Sequence, residues 1–258
     1  MSLDLKAIAD ELLTARLDCQ PVAPITARYH GLSVEDAYAI QTLISEQRLL
    51  RGERIVGYKV GLTSVAVQQQ LGVSEPDFGL VFASMEVRKD QPLDSSRLIA
   101  AKAEGEIGFV FNRDIEHTDI TLTELKSAID YFFPVVEVVD SAIADWKITL
   151  IDTVADNASS GLYIPGDSRY SPDGVDFAEL EIVIRGEGVN VAGRGAACLG
   201  NPLYATQWLV RKMVSLGRPI RRGQLVLSGA LAPMVPVVAG QTLQFDFKGL
   251  ESIAVTAI

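Results

Sequence analysis

The stretch Ala103-Glu-Gly-Glu-Ile-Gly-Phe-Val-Phe111 turns apolar toward its end, is bounded by polar segments, and reads as a β-strand. A second run, Pro134-Val-Val-Glu-Val-Val-Asp140, is apolar on both faces and reads as a short buried strand. Between them, Thr121 and Glu124 cap a helix that Pro134 is expected to end. Upstream, helices dominate. Leu5, Ile8, Leu12 and Leu13 recur at helical spacing, and Ser33 with Asp36 opens a helix of about 18 residues that Gly52 stops. Arg54 to Leu62 reads as a strand, Thr63 to Leu71 as a helix, and Ser74 to Gly79 as a Pro/Gly loop. Downstream, strands dominate. Leu180–Ile184 and Val189–Val191 flank a hairpin turn, Asn201-Pro202 opens a helix that reaches Gly217, and strands are expected near 224–229, 243–248 and 252–258. Regular β/α alternation is missing. The pattern predicts an α+β, β-rich roll, one domain over residues 1–258 whose residues 1–52 form an N-terminal helical portion.

The 258 residues carry 33 Asp plus Glu against 23 Lys plus Arg, a net charge of −10, with 48% hydrophobic residues. That is enough apolar material for a large core, and the charge opposes both nucleic acid and anionic membrane surfaces, which are bound through clustered cations. His30 and His117 are too few for a three-histidine zinc centre, so any metal must sit among oxygens. Cys19 and Cys198 stand far apart with no CxxC, which fits a reducing, cytoplasmic setting. The acidic N-terminus lacks the pattern of an export signal, and the long uncharged stretch from Gly223 to Phe245 is broken by Pro233 and Pro236, so no membrane span is expected.

Two residues apart on a strand, Glu104 and Glu106 leave the same face. Glu137, between valine pairs, is costly as a bare carboxylate unless a cation or hydrogen bonds compensate it. Three carboxylates on apolar strands suit Mg²⁺ or Mn²⁺. The bland alternative is a wet strand face for Glu104 and Glu106 and an Arg partner for Glu137. Lys59, mid-strand in Gly57-Tyr-Lys-Val-Gly61, either pairs with an acid, holds an anion, or is an ordinary edge-strand lysine. Asp77 is either a lid residue or a turn former. The polar stretch Asp152–Ser160 and the Gly turn after Ser228 offer hydroxyls and backbone N–H groups to a ligand, or simply cap loops. No phosphate-loop, dinucleotide-binding or nucleophile-elbow motif occurs.

Together, Gly57-Tyr-Lys-Val-Gly-Leu-Thr-Ser64, Pro76-Asp-Phe-Gly79, Ala103-Glu-Gly-Glu-Ile107, Val136-Glu-Val-Val-Asp-Ser141, Asp152–Ser160, Leu199-Gly-Asn-Pro-Leu203 and Gly229-Ala-Leu-Ala-Pro-Met234 closely resemble the 2-keto-4-pentenoate hydratases, in the hydratase/decarboxylase branch of the fumarylacetoacetate hydrolase superfamily. The resemblance spans nearly the whole chain. It implies a mixed β-roll or partly open barrel with peripheral helices, a divalent metal, homo-oligomeric assembly, and hydration of 2-hydroxypenta-2,4-dienoate in meta-cleavage breakdown of aromatic compounds. It leaves room for association with a pathway decarboxylase or aldolase. By motif, Glu104, Glu106 and Glu137 fall on the family's metal ligands, Lys59 on its active-site lysine and Asp77 on the acid of its Pro-Asp-(Phe/Tyr)-Gly loop, with Ser160 and Ser228 as substrate-positioning groups. The competing readings are a 4-oxalocrotonate decarboxylase, a C–C bond hydrolase on the same scaffold, and a non-catalytic partner of a decarboxylase.

Overall fold

The computed structural model of the protein describes residues 3–64, 68–69 and 73–258. Asp4 caps α1 (Leu5–Leu17), which buries Ile8, Ala9, Leu12 and Leu13 as their spacing predicts. A single turn, α2 (Ile25–Arg28), precedes α3 (Val34–Leu50), whose Ser33–Asp36 capping box forms as expected. Ile8, Leu12, Ile25 and Ile40 from these helices bury one another against Ala142, Ile143, Val154 and Ala155, a core of their own beside the sheet. Farther along come α4 (Leu122–Ala128), α5 (Leu150–Ala155) and α6 (Pro202–Ser215), the last capped by Asn201 with Pro202 in its first turn. No helix among the described residues is long and apolar enough to cross a membrane.

The strands are β1 (Ile55–Gly61), β2 (Asp77–Phe82), β3 (Lys102–Phe111), β4 (Ile129–Val139), β5 (Ser160–Pro165), β6 (Glu181–Gly186), β7 (Val189–Arg194), β8 (Leu225–Leu227), β9 (Val235–Pro236), β10 (Thr242–Phe247) and β11 (Ile253–Thr256). The main sheet runs β2-β1-β8-β3-β4-β5, with β9 joined to β3; β1 and β8 are parallel and the other pairs antiparallel. It curls into a partly open barrel, so the α+β roll expected from the sequence is the fold observed. A smaller sheet, β11-β10-β6-β7, packs against it. The two meet at Gly105, where a Cβ would lie 2.1 Å from Ile182 Cδ1 and 3.1 Å from Phe247 Cζ.

Several local expectations need correcting. The helix ends before Pro134 as expected, α4 stopping at Ala128, but the strand expected from Pro134 begins already at Ile129 and β4 runs through the proline. β5 ends at Pro165 opposite Val135, and on that side Pro134 is met through its carbonyl, which accepts the Gly166 N–H at 2.8 Å, so a missing N–H is tolerated. The segment 152–160 is not a plain loop, because Thr149 and Asp152 form a capping box that starts α5. Asp77 is not on a loop; it opens β2, whose six residues are all buried. The helix expected over 63–71 falls largely on residues 65–67 and 70–72, outside the described residues.

Candidate active site

Pairing of β3 with β4 sets Glu104 directly opposite Glu137 and Glu106 opposite Val135. Cross-strand partners share a face, and so do residues two apart, so all three carboxylates leave one side of the sheet. One oxygen from each lies within 4.8 Å of the others. Glu106 and Glu137 are buried, and Glu104 is partly exposed.

The next arm of the sheet brings Lys59 and Asp77. β1 lies between β2 and β8, so Lys59 is on an interior strand and the edge-lysine alternative fails. Gly61 pairs with Asp77 and stands two residues from Lys59, which puts both side chains on the same face. A Cβ at Gly61 would fall 2.1 Å from Asp77 Oδ1, so only glycine leaves room for this carboxylate. Behind β2, the Gln41 amide of α3 donates to the carbonyls of Phe78 and Val154, and Tyr38 stacks on Phe78 at 4.6 Å. The N-terminal helices thereby fix the strand that carries Asp77.

Lys59 Nζ lies 3.0 Å from Glu137 Oε1 and donates to the Ala158 carbonyl at 3.2 Å. Glu106 Oε2 accepts the Gly229 N–H at 2.9 Å, and Ser160 Oγ donates to Glu137 Oε1 at 3.5 Å. The Ser228 hydroxyl is occupied by backbone: it accepts the Ile107 N–H at 3.3 Å and donates to the Gly229 carbonyl at 3.4 Å. Ser228 therefore shapes the turn that aims Gly229 N–H at Glu106. The buried Cys198 thiol donates to the Ser228 carbonyl at 3.0 Å and steadies the same turn.

Donors are scarce here. Among the described residues, Asp77 Oδ1, Glu106 Oε1 and Glu137 Oε2 are buried with no hydrogen-bond partner, an expensive state for carboxylate oxygens unless a cation meets them. Burial, reinforced by Glu137, raises Glu104 to about 7, and burial with Glu137 and Glu104 raises Glu106 well above the usual carboxylate range. Asp77 is pushed up to about 6 by burial against the opposing pull of Lys59. Burial alone would lower the Lys59 ammonium, but Glu137, Glu104, Glu106 and Asp77 outweigh it and hold the proton more tightly. An oxygen-only donor set with orphaned oxygens fits a hard divalent cation.

Sequence reasoning named the side chains that converge and the Gly turn after Ser228 whose backbone N–H faces the site, and missed the Ala158 carbonyl. That carbonyl carries no side-chain signature. Ala158 sits in a turn where Asn157, Ala158 and Ser159 take φ of 55°, 53° and 53° in succession. Left-handed conformation costs roughly 1–2 kcal/mol per non-glycine residue, and of the three only the asparagine hints at it.

Residues 63–257 match the model of the fumarylacetoacetate (FAA) hydrolase C-terminal region. This chain belongs to the fumarylacetoacetate hydrolase family. Among FAA hydrolase relatives, the 2-keto-4-pentenoate hydratase of Paraburkholderia xenovorans is 47% identical over 95% of this chain and 91% of its own length. The enzyme of the same name from Burkholderia vietnamiensis is 44% identical, covering 98% of this chain and 97% of that one. A solved FAA hydrolase family structure, the 4-oxalocrotonate decarboxylase of Pseudomonas putida complexed with magnesium and adipate, superposes with a TM-score of 0.94 at 33% identity, over 98% of this chain and 97% of the other.

Proposed function

We propose that this chain is a divalent-metal-dependent hydratase that adds water to 2-hydroxypenta-2,4-dienoate, giving 4-hydroxy-2-oxopentanoate in meta-cleavage breakdown of aromatic compounds. The observation that carries the metal and the site is the trio Glu104, Glu106 and Glu137 with two orphaned buried oxygens; the substrate follows from the hydratases that match the chain end to end. These three carboxylates would hold Mg²⁺ or Mn²⁺. When bound, the ion supplies Lewis-acid polarisation for the substrate's 2-oxygen and carboxylate.

The remaining chemistry belongs to side chains. Ketonisation moves the 2-hydroxyl proton to C5 and leaves a conjugated enone; water then adds at C4 while C3 gains a proton. Asp77 suits both directions of transfer, because a carboxyl raised to about 6 is exchangeable near neutral pH. Lys59 spends two N–H groups on Glu137 and Ala158, which leaves the third to place the water or an oxygen of the substrate. Ser160, on Glu137, and Ser228, through its turn, position the carboxylates around the substrate.

The same reading makes the protein a cytoplasmic homo-oligomer with room for a decarboxylase or aldolase partner. Hydration of freshly generated dienol should require Mg²⁺, stop with EDTA and collapse in Glu106→Gln. Full activity in EDTA would overturn it. Release of CO₂ from 4-oxalocrotonate without dienol hydration would transfer the chain to the decarboxylase reading that its 33%-identical structural neighbour represents.

A further inference from the structure

Asn157 sits where the barrel fails to close. β2 and β5 are the two ends of the main sheet and share no ladder, and the Asn157 side chain is inserted at the β2 end. Its Oδ1 accepts the Leu80 N–H at 2.8 Å and its Nδ2 donates to the Leu80 carbonyl at 2.9 Å, both buried. A side-chain amide here replaces the missing strand. The next residue, Ala158, offers its carbonyl to Lys59, and Ser159 Oγ lies 3.0 Å from Thr153 Oγ1 on α5. On the N-terminal side Asp156 is gripped by Arg16, with Asp156 Oδ1 accepting from Nε at 2.9 Å and Oδ2 from Nη2 at 2.7 Å.

The turn needs these pins for two reasons. Its three left-handed residues would relax to ordinary φ values if released. And one flank of it is open: a cavity of about 460 Å³, lined by Arg16, Arg48, Asp156, Asn157, Ser160 and others, lies beside it. Lys59, a buried four-carbon side chain, is aimed among the described residues by two partners, Glu137 and the Ala158 carbonyl. Glu137 alone leaves the ammonium free to swing about one contact.

We infer that Asn157 is a positioning residue for the hydration reaction: by pinning the left-handed turn to Leu80, it holds the Ala158 carbonyl where it aims the Lys59 ammonium. This rests on the proposed role of Lys59. It acts on orientation and not on the carboxylate trio, so metal binding is left alone.

The test compares wild type with Asn157→Gly, which accommodates the left-handed backbone but loses the amide, and Asn157→Asp, which keeps the acceptor for Leu80 N–H and loses the donor. Each is assayed with dienol and Mg²⁺ well below its own Tm, and Mn²⁺ affinity is read from the electron paramagnetic resonance of free Mn²⁺. The expected result is a fall in kcat of about 10- to 100-fold, the range for loss of a group that orients a catalytic one, with KM and Mn²⁺ affinity within about 3-fold of wild type. Unchanged kcat in either folded variant overturns the inference, as does a parallel loss of kcat, KM and Mn²⁺ affinity, which marks a purely structural residue. If Asn157→Gly does not fold, Asn157→Asp decides. Wild type without hydratase activity is a separate outcome and refutes the functional reading instead.

Discussion

Two buried ionic clusters sit at either end of the five-residue segment 156–160, and they are built on opposite principles. In the first, Arg16 of α1 forks onto Asp140 and Asp156 and also donates to the Asp140 carbonyl, while Ile99, Ala100 and Ala142 direct backbone N–H groups at the same two carboxylates. Every oxygen there is met. In the second, four carboxylates face Lys59 and a few weak donors, and three oxygens have no partner among the described residues. Full satisfaction marks a clamp, and deficit marks a place prepared for something that arrives from solution.

Removing the cation from the clamp gives the largest expected effect. Arg16→Leu strands two buried carboxylates and should cost about 3–5 kcal/mol of folding stability, read from urea unfolding. A loss under about 1 kcal/mol would mean the clamp is dispensable and the contrast false. In the deficient cluster the sign of the stability change should reverse. Glu106→Gln is expected to lower kcat by about 10²–10³-fold, while raising the unfolding midpoint of EDTA-treated protein at pH 8, since one of several crowded charges disappears.

The third expectation concerns protons. Glu104 at about 7 and Glu106, raised well above the usual carboxylate range, bind protons in the folded state that the unfolded chain has released. Their stabilising contribution is therefore complete below the ordinary Glu range and lost as pH rises through about 7. Metal-free protein should become less stable between pH 5 and pH 8, by differential scanning calorimetry. Mg²⁺ at 100 times its Kd should restore about 2.7 kcal/mol, and its affinity should climb with pH because binding displaces those protons. A flat metal-free profile would show that the carboxylates are less crowded than their geometry indicates. The smallest effect lies outside both clusters: Asn201→Ala, which removes the cap on the Leu203 N–H, should cost about 1 kcal/mol and leave kcat intact.

How much of this is legible in the sequence depends on whether a side chain or the backbone carries it. The i, i+2 spacing of Glu104 and Glu106 announces a shared face, and the valines around Glu137 announce a buried charge. That Glu137 stands opposite Glu104 is a matter of register between strands some 30 residues apart, which only resemblance to known sequences supplied. Pro134 misled because its meaning depends on where β5 stops, at Pro165, a long-range fact. The Asp77 motif looked like a turn because Pro76 and Gly79 are turn residues; Gly79 is instead needed where β2 passes the Asn157 carbonyl, 2.5 Å from a would-be Cβ. Thr149 and Asp152 advertise α5 by their capping spacing. The Gly turn after Ser228 hints that a backbone N–H will face the site, but nothing in the letter Ala158 declares that its carbonyl will be the group that matters.

The Asn157 side chain has one more consequence, for the behaviour of the molecule in company. An open barrel leaves two strand edges with unspent backbone groups, the usual template on which further chains can add. Here the outer rim of β2 is occupied at Leu80 by an amide, and the outer rim of β5 is taken by Val87, whose N–H reaches the Tyr163 carbonyl at 2.9 Å. Both rims are stoppered by the chain itself, so the gap that admits a strained turn beside the lysine does not become a seed for edge-to-edge aggregation.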